Sequence, residues 1–423
     1  MGSARSDARA DCRSGVGVPM LSGHMERPVA PLRLGSPRFV AYLVAQFLGA
    51  LNDNAFKYTL LQFALQSVPG DEQKVAVSSL LTALFPLPWL FVSQWAGRLA
   101  DRYRKDRVLV ATKLPELLLM LVATLGFQTG SLPLLYAVFL LISTQSAFFS
   151  PAKYGLLPEV LGSEQLAEAN GLVSMTTNMA ILLGTLLGLG LFTLFSDRLA
   201  CAGLAFVAIA VLGTAATFFV PVAPPGSARA PVTGNPLLRV AEDWRALHGV
   251  ASLPATVLGL AYFSFLGALL LTVVPVYGVS VLGLSTDAAG SLLIPLVIGL
   301  AGGSLIAGWL SRGRVELGLV PLGALGMAFF SGHLLLAGGE SQARVLGLPL
   351  VPALDFALLG VGAGVFSVPL QALLQQRSPE DRKGQLIAFS NVMANLAILG
   401  SAACAWGISL LPHFDVQYTM LAL

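Results

Sequence analysis

The amino-acid sequence predicts an all-α membrane protein of two pseudo-symmetric six-helix bundles, the last helix incomplete. Three observations carry this expectation. The first is composition: 55% of the 423 residues are hydrophobic and only 11% are charged, against roughly 25% charged in an ordinary soluble domain. Mean hydropathy is +0.77, and 44 glycines are spread through apolar runs, as is common in membrane helices. The second is length: eleven apolar runs reach the ~20 residues that a spanning helix needs. The third is repetition between the two halves. Composition excludes a soluble enzyme, a disordered chain and a disulfide scaffold. With 25 Lys and Arg against 22 Asp and Glu, net +3, the charge is too balanced for a nucleic-acid partner. Cys12, Cys201 and Cys404 are too far apart for a metal or redox motif. The first 36 residues lack the apolar core of a secretory signal.

The eleven runs lie near 38–67, 74–98, 107–128, 131–150, 169–195, 199–221, 254–281, 286–310, 317–338, 348–375 and 385–411. A membrane barrel would alternate apolar and polar residues over short segments, and these runs do not. After Pro412 only His413 to Leu423 remain. Either the natural protein stops short there or the sequence is a piece of a longer one. With the N-terminus inside, 20 of the 25 cationic side chains fall on the cytoplasmic side and only Lys74, Arg198 and Arg344 on the other, which fixes the expected orientation. Lys57 and Lys113 lie within the membrane. The expected organisation is a flexible arm at 1–36, a first bundle at 37–221, a linker at 222–253 and a second bundle at 254–423, truncated in helix 12. Within the linker, Leu237, Leu238, Val240, Trp244 and Leu247 share one face of Asn235 to His248, the pattern of a helix on the membrane surface or of a plain amphipathic linker.

The halves are related in detail. Phe47-Leu48-Gly49-Ala50-Leu51 recurs as Phe265-Leu266-Gly267-Ala268-Leu269. Phe149-Ser150 matches Phe366-Ser367, and Asn178-Met179-Ala180-Ile181-Leu182 matches Asn395-Leu396-Ala397-Ile398-Leu399. The matches share offsets of 217 or 218 residues. Two related halves of six spans resemble a major facilitator-type transporter, with its binding site near the midplane between them. Paired glycines (Gly184 and Gly188, Gly299 and Gly303, Gly360 and Gly364) read as helix-packing faces.

Polar side chains at mid-depth are the candidates for function. In span 1, Asn52, Asp53, Asn54 and Lys57 follow the first repeat, with Gln46 two turns before Asp53. An ionised group at the bilayer centre costs about 2.5–3.5 kcal/mol on insertion scales and marks a functional site by default. Asp53 and Lys57 are four apart and can neutralise each other. The second half has Leu270 and Leu271 where the first has Asn52 and Asp53, so the fold does not require charges there. In span 3, Lys113 and Glu116 share a face; Lys113 either lines a cavity or snorkels to the cytoplasmic surface. His333 reads as a helix-end histidine, and Asp355 lies on the outer part of span 10. Asn178, Asn391 and Asn395 serve either interhelical hydrogen bonds or substrate contact. The expected substrate-binding set is thus Gln46, Asn52, Asp53, Asn54, Lys57, Lys113, Glu116, Asn178, Asn391 and Asn395.

The segment Gly97-Arg98-Leu99-Ala100-Asp101-Arg102-Tyr103-Arg104-Lys105-Asp106-Arg107 resembles the loop joining spans 2 and 3 of major facilitator proteins, with a degenerate copy at Gly308-Trp309-Leu310-Ser311-Arg312. Gly97 lets helices approach closely, and Asp101 can sit against a helix N-terminus of the other half. Gating is expected at Gly97, Asp101, Arg102, Lys105, Lys153 and Arg312. The four histidines form no zinc motif, no nucleotide-binding loop is present, and neither cofactor nor metal is expected.

Gln46 through Lys57, and Ser150-Pro151-Ala152-Lys153-Tyr154-Gly155-Leu156-Leu157-Pro158-Glu159, resemble segments of the bacterial lysophospholipid transporter family. The resemblance implies a flippase carrying lysophosphatidylethanolamine and related lysolipids to the cytoplasmic leaflet of the inner membrane, where a separate or fused acyltransferase restores the missing chain. It implies membrane lipids as surroundings and no nucleic acid. A zwitterionic head needs a cation for phosphate and an anion or amide for ammonium, which Lys57 or Lys113 and Asp53 or Glu116 can supply. The rival readings are a proton-driven exporter of drugs or metabolites, with Asp53 carrying the proton, and a non-transporting scaffold for an acyltransferase.

Overall fold

A computed structural model describes residues 33–68, 84–224, 247–311, 314–336 and 348–409, with short stretches at 77, 80–81, 244–245 and 343–345. Residues 1–32 of the expected arm at 1–36, most of the linker and the stretch from His413 to Leu423 lie outside the described residues. Among the described residues eleven long helices follow in order: α1 (Pro37–Gln66), α2 (Pro86–Arg102), α3 (Lys105–Thr129), α4 (Leu132–Val160), α5 (Leu166–Leu194), α6 (Leu199–Thr217), α7 (Leu253–Ser280), α8 (Leu293–Leu310), α9 (Leu319–Leu336), α10 (Leu350–Arg377) and α11 (Lys383–Ser409). Each falls on one of the expected runs. A two-residue hairpin, Arg344–Val345 paired with Leu348–Pro349, separates α9 from α10.

Eight of these helices are long and apolar enough to cross a membrane by themselves. The other three are α1, which carries the polar run of Gln46 to Lys57, α2, of 17 residues, and α9, of 18. Local signals set the ends. Ser36 caps α1 by accepting the Phe39 N–H at 3.3 Å, with Pro37 in the first turn where no N–H is needed. Gly130 ends α3 at φ 67°, a conformation only glycine adopts without strain. Pro115, Pro151, Pro158 and Pro369 sit inside helices, which spanning bundles tolerate because neighbouring elements satisfy the freed carbonyls.

The helices pack in a repeated scheme. α1 lies against α5 as α7 lies against α11, α2 against α4 as α8 against α10, and α3 against α4 as α9 against α10. Small residues make the closest approaches. A Cβ on Gly188 would strike the backbone of Ala55 in α1, and one on Gly303 would strike Val361 in α10. The first half is filled by Phe56, Phe127, Phe139 and Phe206, with Phe56 edge-on to Phe127 and Phe206 at 5.9 Å. In the second, Tyr277 packs edge-on to Phe356 and donates to the Leu334 carbonyl at 2.8 Å. The halves meet through α2 with α11 and α5 with α8.

Candidate functional site

The site is built on α1, α3 and α4 of the first half and continues to the junction with the second. The wheel of α1 puts Gly49, Asn52 and Phe56 on one face. Gly49 leaves room there for the Lys113 ammonium of α3, which a Cβ would displace. Lys113 is 1% exposed and pairs with Glu116 at 2.5 Å, with its Nζ 5.3 Å from the centre of the Phe149 ring. It therefore does not snorkel; a carboxylate one turn along the same helix and an aromatic face hold it inside.

Asp53 and Lys57 do not pair with each other, contrary to the sequence expectation. The Asp53 Oδ2 accepts the Ser146 hydroxyl of α4 at 2.6 Å. The longer Lys57 chain reaches past it, its Nζ 5.5 Å from the Tyr58 ring and 5.9 Å from Phe85 at the start of α2. A nearby hydroxyl thus outcompetes a cation one turn away. Both Asn52 amide atoms, the Asp53 Oδ1 and the Glu116 Oε1 are enclosed without a hydrogen-bond partner among the described residues. Each such atom costs about 1–3 kcal/mol, a cost that packing gives no reason to retain.

Towards the junction the contacts become uncharged. Gln46 donates to Thr176 at 2.5 Å and accepts from Thr177 at 2.9 Å, joining α1 to α5. Asn54 bonds the Ala50 carbonyl of its own helix. Asn391 of α11 donates to Ser150 of α4 at 3.0 Å, crossing between halves, and Asn395 donates to the Asn391 carbonyl. Asn178 makes a long contact with Ser174, which bonds Ser304 of α8 at 2.9 Å. A hollow of about 170 Å³ lies here, lined by Tyr154, Asn170, Ser174, Gln371, Ser390 and Asn391 among others. Asp53, Lys57, Lys113 and Glu116 do not line it. One helix connects the two regions: Ser146, which holds Asp53, and Ser150, which holds Asn391, are four apart on α4, about 6 Å of rise.

Below the hollow the Lys/Arg-rich side is closed. Asp101 at the end of α2 accepts the backbone N–H groups of Gly384 at 2.6 Å and Gln385 at 2.9 Å, the first turn of α11. Gly97 and Gly384 let the two backbones touch: a Cβ on either would overlap the other's carbonyl. Burial, opposed by those two donors, pushes the Asp101 carboxyl up to about 6. One step further in, Asn170 and Gln375 exchange both amide hydrogen bonds across the halves, at 2.9 and 2.8 Å.

Three further gating candidates, Arg102, Lys105 and Lys153, make their contacts within the first half. Lys105 pairs with Glu159 of α4. Lys153 donates to Thr177 at 3.3 Å, with Nζ 4.9 Å from the Tyr154 ring centre. Arg102 is exposed, 6.0 Å from the Tyr103 ring. Arg312 lies outside the described residues. His333 is more than a helix-end residue: its Nδ1 lies 2.8 Å from the Asp355 Oδ2, tying α9 to α10 within the second half. The sequence reading missed Ser146, Ser150, Asn170, Glu159 and Gln375. Asn170, Ser174 and Asn178 recur at i, i+4 and i+8 along α5, a polar stripe that could have identified two of the cross-half contacts.

The family model for the Major Facilitator Superfamily matches residues 39–402. The lysophospholipid transporter LplT of Yersinia enterocolitica is 30% identical over 382 residues, covering 88% of each chain. That of Photorhabdus laumondii is 29% identical over 376 residues, covering 85% of each. Among solved structures, the human organic anion transporter MFSD10 superposes with a TM-score of 0.69 at 15% identity, over 92% of this chain and 97% of that one. The E. coli transporter FucP in its outward conformation gives 0.69 at 12% identity, over 90% and 94%. At these identities the solved structures speak for the fold alone.

Proposed function

The chain belongs to the Major Facilitator Superfamily and, within it, to the LplT-type family, and from that premise we propose that it flips lysophospholipids, chiefly lysophosphatidylethanolamine, by alternating access. The Lys/Arg-rich side is the cytoplasmic side of the bacterial inner membrane, and the lipid arrives there for reacylation by an acyltransferase. The protein performs no covalent chemistry of its own. The observation that carries this reading is the ladder on α4: charged groups around Asp53 stand one turn above a polar hollow between the halves, itself floored by the contacts of Asp101 and of Asn170 with Gln375. Lys57, free of any carboxylate among the described residues, suits a phosphate, and the enclosed Asp53 Oδ1 suits an ammonium N–H. The acyl chain stays in lipid between helices.

A second reading rests on the same Asp53 Oδ1. An enclosed carboxyl oxygen without a donor also suits a proton carrier, as in an exporter driven by a proton gradient. Labelled lysolipid in proteoliposomes separates the two. Flipping by the wild type, falling at least tenfold (about 1.4 kcal/mol) in Asp53→Ala and in Lys57→Ala, supports the lysolipid reading. Wild-type rates in both variants overturn the assignment of the head group to these residues. No lysolipid movement, with drug efflux abolished by an uncoupler, favours the exporter.

A further inference from the structure

A groove of about 780 Å³ runs along the flank of the first half, between the basic end of α2, α3 and α4, well within the size of small-molecule sites. Leu99, Ala111, Leu118 and Leu141 make its wall apolar, and Tyr103 and Arg107 stand exposed at its mouth. The acid next to Arg107 in the chain is already engaged: Asp106 pairs with Arg104 and accepts the Ala223 N–H. Arg107 makes no ion pair or hydrogen bond with another described residue. From Arg107 to Leu118 the helix rises about 16 Å, the depth of one leaflet in a hydrocarbon core about 30 Å thick. A cation at the head-group level above an apolar channel one leaflet deep matches a phosphate joined to an acyl chain.

We propose that this groove binds a diacyl phospholipid of the leaflet on the basic side, with one chain lying along α3 and its phosphate on Arg107. No residue of the second half lines the groove, so movement between the halves neither opens nor closes it. A transported molecule would need that movement to enter and leave; a resident membrane lipid does not.

Native mass spectrometry of the full chain, released from nanodiscs of phosphatidylethanolamine and phosphatidylglycerol, counts the phospholipid each chain retains. Arg107→Glu and Ala111→Trp, both at exposed positions, lower the retained fraction about tenfold, the scale of one charge-assisted contact. Arg107→Lys and a distant control, Leu322→Trp on α9, retain as much as the wild type, and unchanged melting temperatures establish that all four fold. Equal retention by Arg107→Glu, Ala111→Trp and the wild type overturns the site. So does replacement of the diacyl lipid by lysophospholipid when the discs are doped with it, an outcome that would place the groove on the transport route. Retention is read without any transport measurement, so it stands or falls independently of the proposed function.

Discussion

Lys113 and Glu116 are each almost wholly enclosed, and their 2.5 Å contact is what makes either charge tolerable at that depth. Removing one partner leaves the other buried and unpaired, which costs about 3–5 kcal/mol, whereas replacing both by apolar groups of similar volume is near neutral. Thermal unfolding in detergent should therefore show Lys113→Met strongly destabilised and Lys113→Met with Glu116→Leu restored towards the wild type. Gly49→Ala should destabilise by about 1–3 kcal/mol, because its methyl would occupy the space of the Lys113 ammonium. The presence of these charges was legible in the sequence, since hydrocarbon makes every ionisable residue conspicuous. Their partners were not. Asp53 finds Ser146, 93 positions away, and no spacing within α1 signals that. The i, i+4 rule offered Lys57 instead, and tertiary proximity overrode it.

At the scale of elements, α2 and α11 touch through glycine, and α11 offers its first N–H groups to Asp101. Gly97→Leu should force these helices apart. Spin labels on the basic ends of α2 and α11 should report a longer mean distance, with the helix content unchanged. The same contact titrates. Asp101 is held at about 6 in the closed arrangement, against about 3.9 for a hydrated carboxyl, so the closed form binds the proton more tightly. Closure is then favoured most below about pH 4, weakens as pH rises through about 6 and is constant above that. The label distance should lengthen between pH 4 and 7 in the wild type and do so less in Asp101→Asn, where Glu159, also raised by burial, is the carboxyl left at this contact. The loop from Gly97 to Arg107 made Asp101 and Gly97 readable in advance. Asn170 and Gln375 are 205 residues apart, and only the docking of the halves brings their amides together.

The whole molecule is two related helical halves sealed on the basic side by Asp101 with α11, Asn170 with Gln375, and Ser174 with Ser304. Above that seal lie the polar hollow and then the charged cluster. The helices were legible because ~20-residue apolar runs admit few alternatives in a bilayer, and the repeated segments at a constant offset exposed the pairing of the halves. The closed side was not legible, because one sequence must serve every state of an alternating cycle. In the proposed cycle lysolipid passes when the halves separate on this side. The two hydroxyl oxygens of Ser174 and Ser304 are 2.9 Å apart, close enough for cysteines there to bond. The decisive measurement is lysophosphatidylethanolamine flipping by Ser174→Cys with Ser304→Cys in proteoliposomes, before and after oxidation. Flipping should stop on oxidation and return on reduction; undiminished flipping by the oxidised protein would mean that lysolipid passes without the halves separating here.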